Sequence, residues 1–193
     1  DARDMVDYIL SLNDAKKASQ PIKATYETAL HKGKKDGAYI IQATYTDKGG
    51  KVIGPLTNSE SVALRSSKVK AVSFDESKAT SKFNVEALGG EIVIATEDGA
   101  YFGFKNIDLT GVKGLTIGAF SQKGQSVGGK VEVRSGSPTG VLLAEAEVSE
   151  SNMMPLKVNV NTTGQQNLYF VFKNPKAEGR PLFGVSSIDF LNK

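Results

Sequence analysis

The stretch GKVEVRSGSPTGVLLAEAEV, residues 129–148, decides how this chain folds. In its first half Val131 and Val133 alternate with Glu132 and Arg134. Successive side chains of a strand point to opposite faces, so this pattern makes one oily face and one wet face. The run from Ser135 to Gly140 is rich in Ser, Gly and Pro, the residues of tight turns. Apolar residues then resume over 142–148. A lone hairpin has nothing against which to bury its oily face, so a second layer must cover it.

The same signature recurs outward from this hairpin. Strands are expected at 69–74, 91–95, 101–107, 114–120, 129–135, 142–148, 156–160, 167–173 and 185–191. Polar, glycine-bearing turns separate them, among them Glu97-Asp98-Gly99, Gly124-Gln125 and Thr162-Thr163-Gly164. Phe102 and Phe104 should face inward, with Tyr101, Gly103 and Lys105 outward. Leu168, Phe170 and Phe172 should face inward, with Tyr169, Val171 and Lys173 outward. Short strands at such spacing predict a mainly β chain built on a two-sheet sandwich or jelly roll.

The N-terminal third reads differently. Met5, Val6, Ile9, Leu10 and Leu12 recur at helical spacing, which predicts a short helix over 1–13. Residues 14–67 carry polar linker-like stretches and short alternating runs. Tyr39, Ile41, Ala43 and Tyr45 mark one strand, and further strands are expected at Val52-Ile53 and over 61–64. This segment reads as part of a small immunoglobulin-like β unit. The expected domains are therefore 1–13, 14–67 and 68–193.

Composition narrows the chemistry. Lys plus Arg number 24 and Asp plus Glu 21, a net charge of +3 with no basic run, so nucleic acid is not an expected partner. No apolar stretch reaches the length of a membrane-spanning helix. The absence of cysteine excludes disulfides, thiolate metal sites and covalent haem attachment within these residues. His31, the only histidine, sits in a basic turn without an acidic or Ser partner nearby and reads as solvent-exposed. Glu145, Glu147 and Glu150 cluster, and paired carboxylates are the tools of glycoside hydrolysis. Nothing in the sequence supplies the pocket such chemistry needs, so they read as an exposed acidic edge and no catalytic residue is expected.

Four segments taken in order carry a resemblance: DGAYFGFKNIDLTGVKGLTIGAFS, GGKVEVRSGSPTGVLLAEAEV, NLYFVFKNP and LFGVSSIDFL. Together they resemble a family 6 carbohydrate-binding module over nearly all of 68–193. The resemblance implies a jelly roll with two possible sugar sites, one in the edge loops and one on the concave face of a sheet. The edge-loop site of the family uses two aromatic rings and an Asn. Those positions fall near Ile94–Ala95, at Asn152-Met153-Met154 and at Gly184, so that site is not expected here. The concave-face site is expected at Tyr101, Glu132 and Arg134, with Lys173 on the same surface. A ring offers a platform for the C–H face of a sugar, and the carboxylate and guanidinium serve its hydroxyls. Glu132 and Arg134 have a blander reading as a solvated ion pair.

The family's structural calcium site is not expected either. Its opening Ala-Glu becomes Ala71-Val72 and a late Asp becomes Ser186, leaving Asp75, Glu76 and Asp189 as weak candidate ligands. At the other end of the chain, ARDMVDYILSLN, residues 2–13, resembles the last helix of a class I cytochrome c domain, without its haem motif; the alternative is a docking helix with no cytochrome history. The expected protein is thus a non-catalytic polysaccharide-binding piece of a larger secreted, periplasmic or cell-surface chain, with a cytochrome-like domain upstream and no cofactor. The alternative is a structural or protein-interaction sandwich on the same scaffold that has lost sugar binding.

Overall fold

A computed structural model describes residues 38–50, 52–88 and 90–192. The expected helix at 1–13, the linker that follows it and His31 lie outside the described residues. Described helix is confined to short 3-10 turns, and none is long and apolar enough to cross a membrane.

Residues 38–65 form an antiparallel ribbon of β1 (Ala38–Thr46) and β2 (Thr57–Arg65), with Ala38 opposite Arg65 and Thr46 opposite Thr57. Among the described residues it has no second sheet of the kind an immunoglobulin-like unit needs. Val52-Ile53 is not a strand. The carboxylate of Asp47 accepts hydrogen bonds from the amides of Gly49 (2.8 Å) and Leu56 (2.9 Å), folding the segment into the loop of the ribbon.

Residues 68–191 form two antiparallel sheets. The first is ordered β10 (Val141–Val148), β9 (Gly129–Ser135), β12 (Gln165–Lys173), β7 (Tyr101–Asp108), β4 (Glu76–Lys78). The second is ordered β11 (Leu156–Asn159), β8 (Gly114–Phe120), β13 (Gly184–Leu191), β6 (Gly90–Ala95), β5 (Thr80–Val85), with β3 (Lys68–Lys70) also paired to β13. The expected strand at 69–74 is cut short at Lys70. A 3-10 turn at Ala71–Ser73 follows, held by the Ser73 hydroxyl on the Lys70 carbonyl (2.7 Å), and carries the chain from one sheet to the other. β4 and β5 were hidden from periodicity because nearly every side chain between Glu76 and Asn84 is polar.

The inward faces meet in one core. Phe102, Phe104, Phe170, Phe172, Phe183, Leu115, Ile117, Leu168 and Ile188 are all but excluded from solvent. Phe102 lies flat on Phe170, 5.1 Å between centroids and 11° between planes. Each such side chain contributes about 1.5–3 kcal/mol by leaving water. The alternation read for Val131/Val133, Phe102/Phe104 and Leu168/Phe170/Phe172 thus fixes which face of β9, β7 and β12 looks outward.

Candidate functional site

The outer face of the five-stranded sheet is assembled by register. Val171 of β12 lies opposite Tyr101 of β7 on one side and Glu132 of β9 on the other. The next row places Tyr169 between Gly103 and Arg134, and Arg134 lies opposite Leu142 of β10. One row the other way, Lys173 lies opposite Lys130, which faces Glu147. Tyr101, Glu132, Arg134 and Lys173 therefore share one face. Tyr101 and Glu132 stand two strand spacings apart, about 10 Å.

Glu132 and Arg134 are not a loosely solvated pair. Arg134 donates from Nε to Glu132 Oε2 at 2.8 Å, and their side chains are 23% and 14% exposed. A second donor of the same guanidinium holds the Gly140 carbonyl at 2.7 Å, anchoring the turn that joins β9 to β10. Lys173 is tied to Asp98 at 2.7 Å, and the other oxygen of Asp98 accepts the amide of Asn174 at 2.8 Å. Lys130 reaches Glu145 at 3.1 Å and Glu147 at 3.5 Å. Its ammonium is held above the usual lysine pKa, first by the hydrogen bond it donates to Glu145. The acidic cluster of β10 is thus committed to a lysine.

Two outward-pointing residues are buried all the same. Val171 is 4% exposed and Tyr169 5% exposed. Tyr169 packs beneath the candidate site, although alternation alone left it as one surface residue among several. Its ring meets that of Tyr101 at 5.8 Å and 75°. Its phenol is bonded to Glu76, which also pairs with Lys105 at 2.8 Å. The bond to Glu76 and then burial push the Tyr169 phenol up to about 12. Glu76 is held below the usual carboxylate range, first by Lys105 and then by Tyr169. The sequence signal for this arrangement was Gly103. A glycine inside a strand marks a close approach, and a Cβ there would stand 2.8 Å from two carbons of the Tyr169 ring.

A groove of about 660 Å³ opens beside these residues. Lys130, Glu132 and Lys173 line it, together with Glu150, Asn152 and Asn174. Tyr101 and Arg134 lie outside it.

At the edge-loop position Gly184 lies opposite both Ile94 and Phe120. A Cβ at residue 184 would overlap the Phe120 ring and stand 2.8 Å from Ile92. Asn152 turns inward, donating to the carbonyls of Ala119 (2.7 Å) and Met154 (2.9 Å). Met153 and Met154 are left 68% and 72% exposed. No pair of facing rings stands at these positions among the described residues.

Asp75, Glu76 and Asp189 are not brought together. Asp75 caps the Lys105 amide at 2.7 Å on the first sheet, whereas Asp189 lies in β13 of the second. No group of three or more His, Cys, Asp or Glu suited to a metal ion occurs among the described residues.

Comparison with known proteins agrees with this architecture. The family model described as carbohydrate binding module (family 6) matches residues 70–192. A family 6 module from Clostridium cellulolyticum, solved with xylose, is 26% identical with a TM-score of 0.54, covering 64% of this chain and 95% of that one. A β-1,3-glucan-binding family 6 module from Bacillus halodurans is 23% identical with a TM-score of 0.55, covering 64% and 93%. A family 43 arabinoxylan arabinofuranohydrolase from Bacillus subtilis, 23% identical with a TM-score of 0.57, is matched over 65% of this chain and 27% of its own. No curated protein sequence gives a significant match. With a model of the family spanning well over half of its residues, on the sandwich and register described above, this chain belongs to family 6 of the carbohydrate-binding modules.

Proposed function

We propose that this module holds a polysaccharide chain on the outer face of its five-stranded sheet, without cleaving it. The observation that carries the reading is the row Tyr101–Val171–Glu132, with Arg134 beside it. The Tyr101 ring receives the C–H face of a sugar, Val171 forms a dry floor, and Glu132 and Arg134 meet hydroxyls. Glu132 and Arg134 hold one another and Tyr101 packs on Tyr169 before any sugar arrives, so binding immobilises few side chains. Lys173 borders the same surface. The carboxylates of Glu145 and Glu147 both engage Lys130, which supports binding rather than hydrolysis.

The relative solved with xylose makes xylo-oligosaccharides the first ligands to test. In affinity electrophoresis through xylan, Tyr101→Ala should lose retention while keeping the wild-type melting temperature. Retention equal to wild type would refute the site. The second reading, a sandwich that has given up sugar for protein contacts, draws on the missing ring pair around Gly184. It predicts no retention on any polysaccharide.

The reading extends to the parent protein. A similar module accounts for 27% of a larger arabinoxylan-degrading chain, which supports an extracellular, multidomain setting. There such a module raises the effective concentration of substrate near its partner. A cytochrome-like partner upstream rests on residues 2–13 alone.

A further inference from the structure

Two neighbouring leucines of β10 go opposite ways. Leu143 packs against the core, whereas Leu142 lies opposite Arg134 on the outer face. The pairing of β10 with β9 slips between Leu142 and Ala144, where β10 carries one extra residue. Alternation counted back from Glu145, which lies opposite Glu132, would put Leu143 outward and Leu142 inward. The bulge reverses that order, and re-aiming a side chain is what bulges beside functional sites do. It leaves Leu142 43% exposed on the face that carries Tyr101, Glu132 and Arg134.

The pair it creates has a specific chemistry. Leu142 and Arg134 are direct cross-strand neighbours, so their Cβ atoms stand about 5 Å apart. The Arg134 guanidinium uses Nε for Glu132 Oε2 and Nη1 for the Gly140 carbonyl. Those two bonds fix its plane, and Nη2 has no protein partner among the described residues. A sugar hydroxyl pressed on Leu142 would lose hydrogen bonds to water without replacing them. An ester suits both neighbours. Its carbonyl oxygen accepts from the guanidinium, and its alkyl end covers the leucine.

We propose that Arg134 and Leu142 form a site for an O-acyl group, an acetyl ester, so that the module prefers esterified polysaccharide to the bare chain. The inference rests on the outer-face reading above. Leu142 stands three strand spacings from Tyr101, about 15 Å, so the ester is carried by another unit of the chain than the one on the ring.

Calorimetric titration with O-acetylated xylo-oligosaccharides, and with the same oligosaccharides after alkaline de-esterification, tests this. Wild type should bind the acetylated form about tenfold more tightly, through one buried methyl and one charge-assisted hydrogen bond. Leu142→Ser should bring the two forms to equal affinity, with Leu142→Gln taking its place should the first not melt like wild type. Leu142→Met, which keeps an apolar side chain of similar volume, should retain the preference. A preference that survives in both polar variants, or is absent from wild type while the de-esterified form binds, overturns the acyl site and leaves the Tyr101 site standing. If neither form binds, or Tyr101→Ala binds like wild type, both readings fall. Partly O-methylated oligosaccharides bound as tightly as the acetylated ones would overturn the assignment to an ester, because an ether has no carbonyl for Arg134.

Discussion

The ring of Tyr169 meets that of Tyr101 edge-on, 5.8 Å between centroids and 75° between planes. An edge-to-face pair of this kind contributes about 0.5–1.5 kcal/mol beyond the area it buries. Tyr169 is itself fixed by its phenol on Glu76 and by the bare backbone of Gly103 beneath it. The proposed sugar platform, Tyr101, is therefore held from below, and substitutions that never touch a ligand should disturb it.

Gly103→Ala tests that support. The new Cβ would stand 2.8 Å from the Tyr169 ring and 3.2 Å from the Leu168 carbonyl oxygen. The ring must shift, at a cost of about 1–3 kcal/mol. Denaturant unfolding should show that loss, and titration with xylohexaose should show weakened binding.

Alkaline pH acts on the same network. The phenol of Tyr169 is raised from 10.0 to about 12 in the folded state. Its contribution to stability is fully present below pH 10 and declines as pH climbs toward about 12. Tyr169→Phe should remove this component, so the difference in melting temperature between the two proteins should shrink over that window. A constant difference would show that the phenol does not titrate as described.

At the acid end Glu76 reverses the sign. Its folded pKa lies below the ordinary value of 4.5, through Lys105 first and Tyr169 second. The stabilisation is present above about pH 4.5 and fades as pH falls through the lowered value. Glu76→Gln should be less stable than wild type at neutral pH, with the gap closing in acid, as followed by circular dichroism.

Arg134→Lys keeps the charge and loses the fork. A single ammonium does not reproduce contacts to Glu132 at 2.8 Å and to the Gly140 carbonyl at 2.7 Å in one fixed plane. The turn from Ser135 to Gly140 should loosen, with about 1 kcal/mol of stability lost. Hydrogen exchange of the Gly140 amide, bonded to the Ser137 carbonyl at 2.9 Å, should quicken.

Chelation should leave the protein as it is. Asp75 is spent on the Lys105 amide and Glu76 on Lys105 and Tyr169. Melting with and without a chelator should coincide, and a clear fall in melting temperature would reveal a stabilising ion.

The amino-acid sequence by itself determined which residues of each strand go inside. The alternation of Val131 with Glu132, or of Phe170 with Tyr169, is a property of neighbours in the chain, and burial of apolar surface enforces it wherever the strand lands. It also placed Tyr101, Glu132, Arg134 and Lys173 outward, because outward residues follow from inward ones, and the resemblance to the family singled them out among the outward residues. It was silent on β4 and β5, whose polar side chains carry no periodic signal. Only the tertiary structure decided what those outward residues meet. Register across β7, β12 and β9 placed Tyr101 and Glu132 around Val171, buried Tyr169 over Gly103, and opened a groove where three strand ends converge. Such relations join residues far apart along the chain, as Glu76 and Tyr169 are, and depend on which strands lie side by side, which no local pattern encodes.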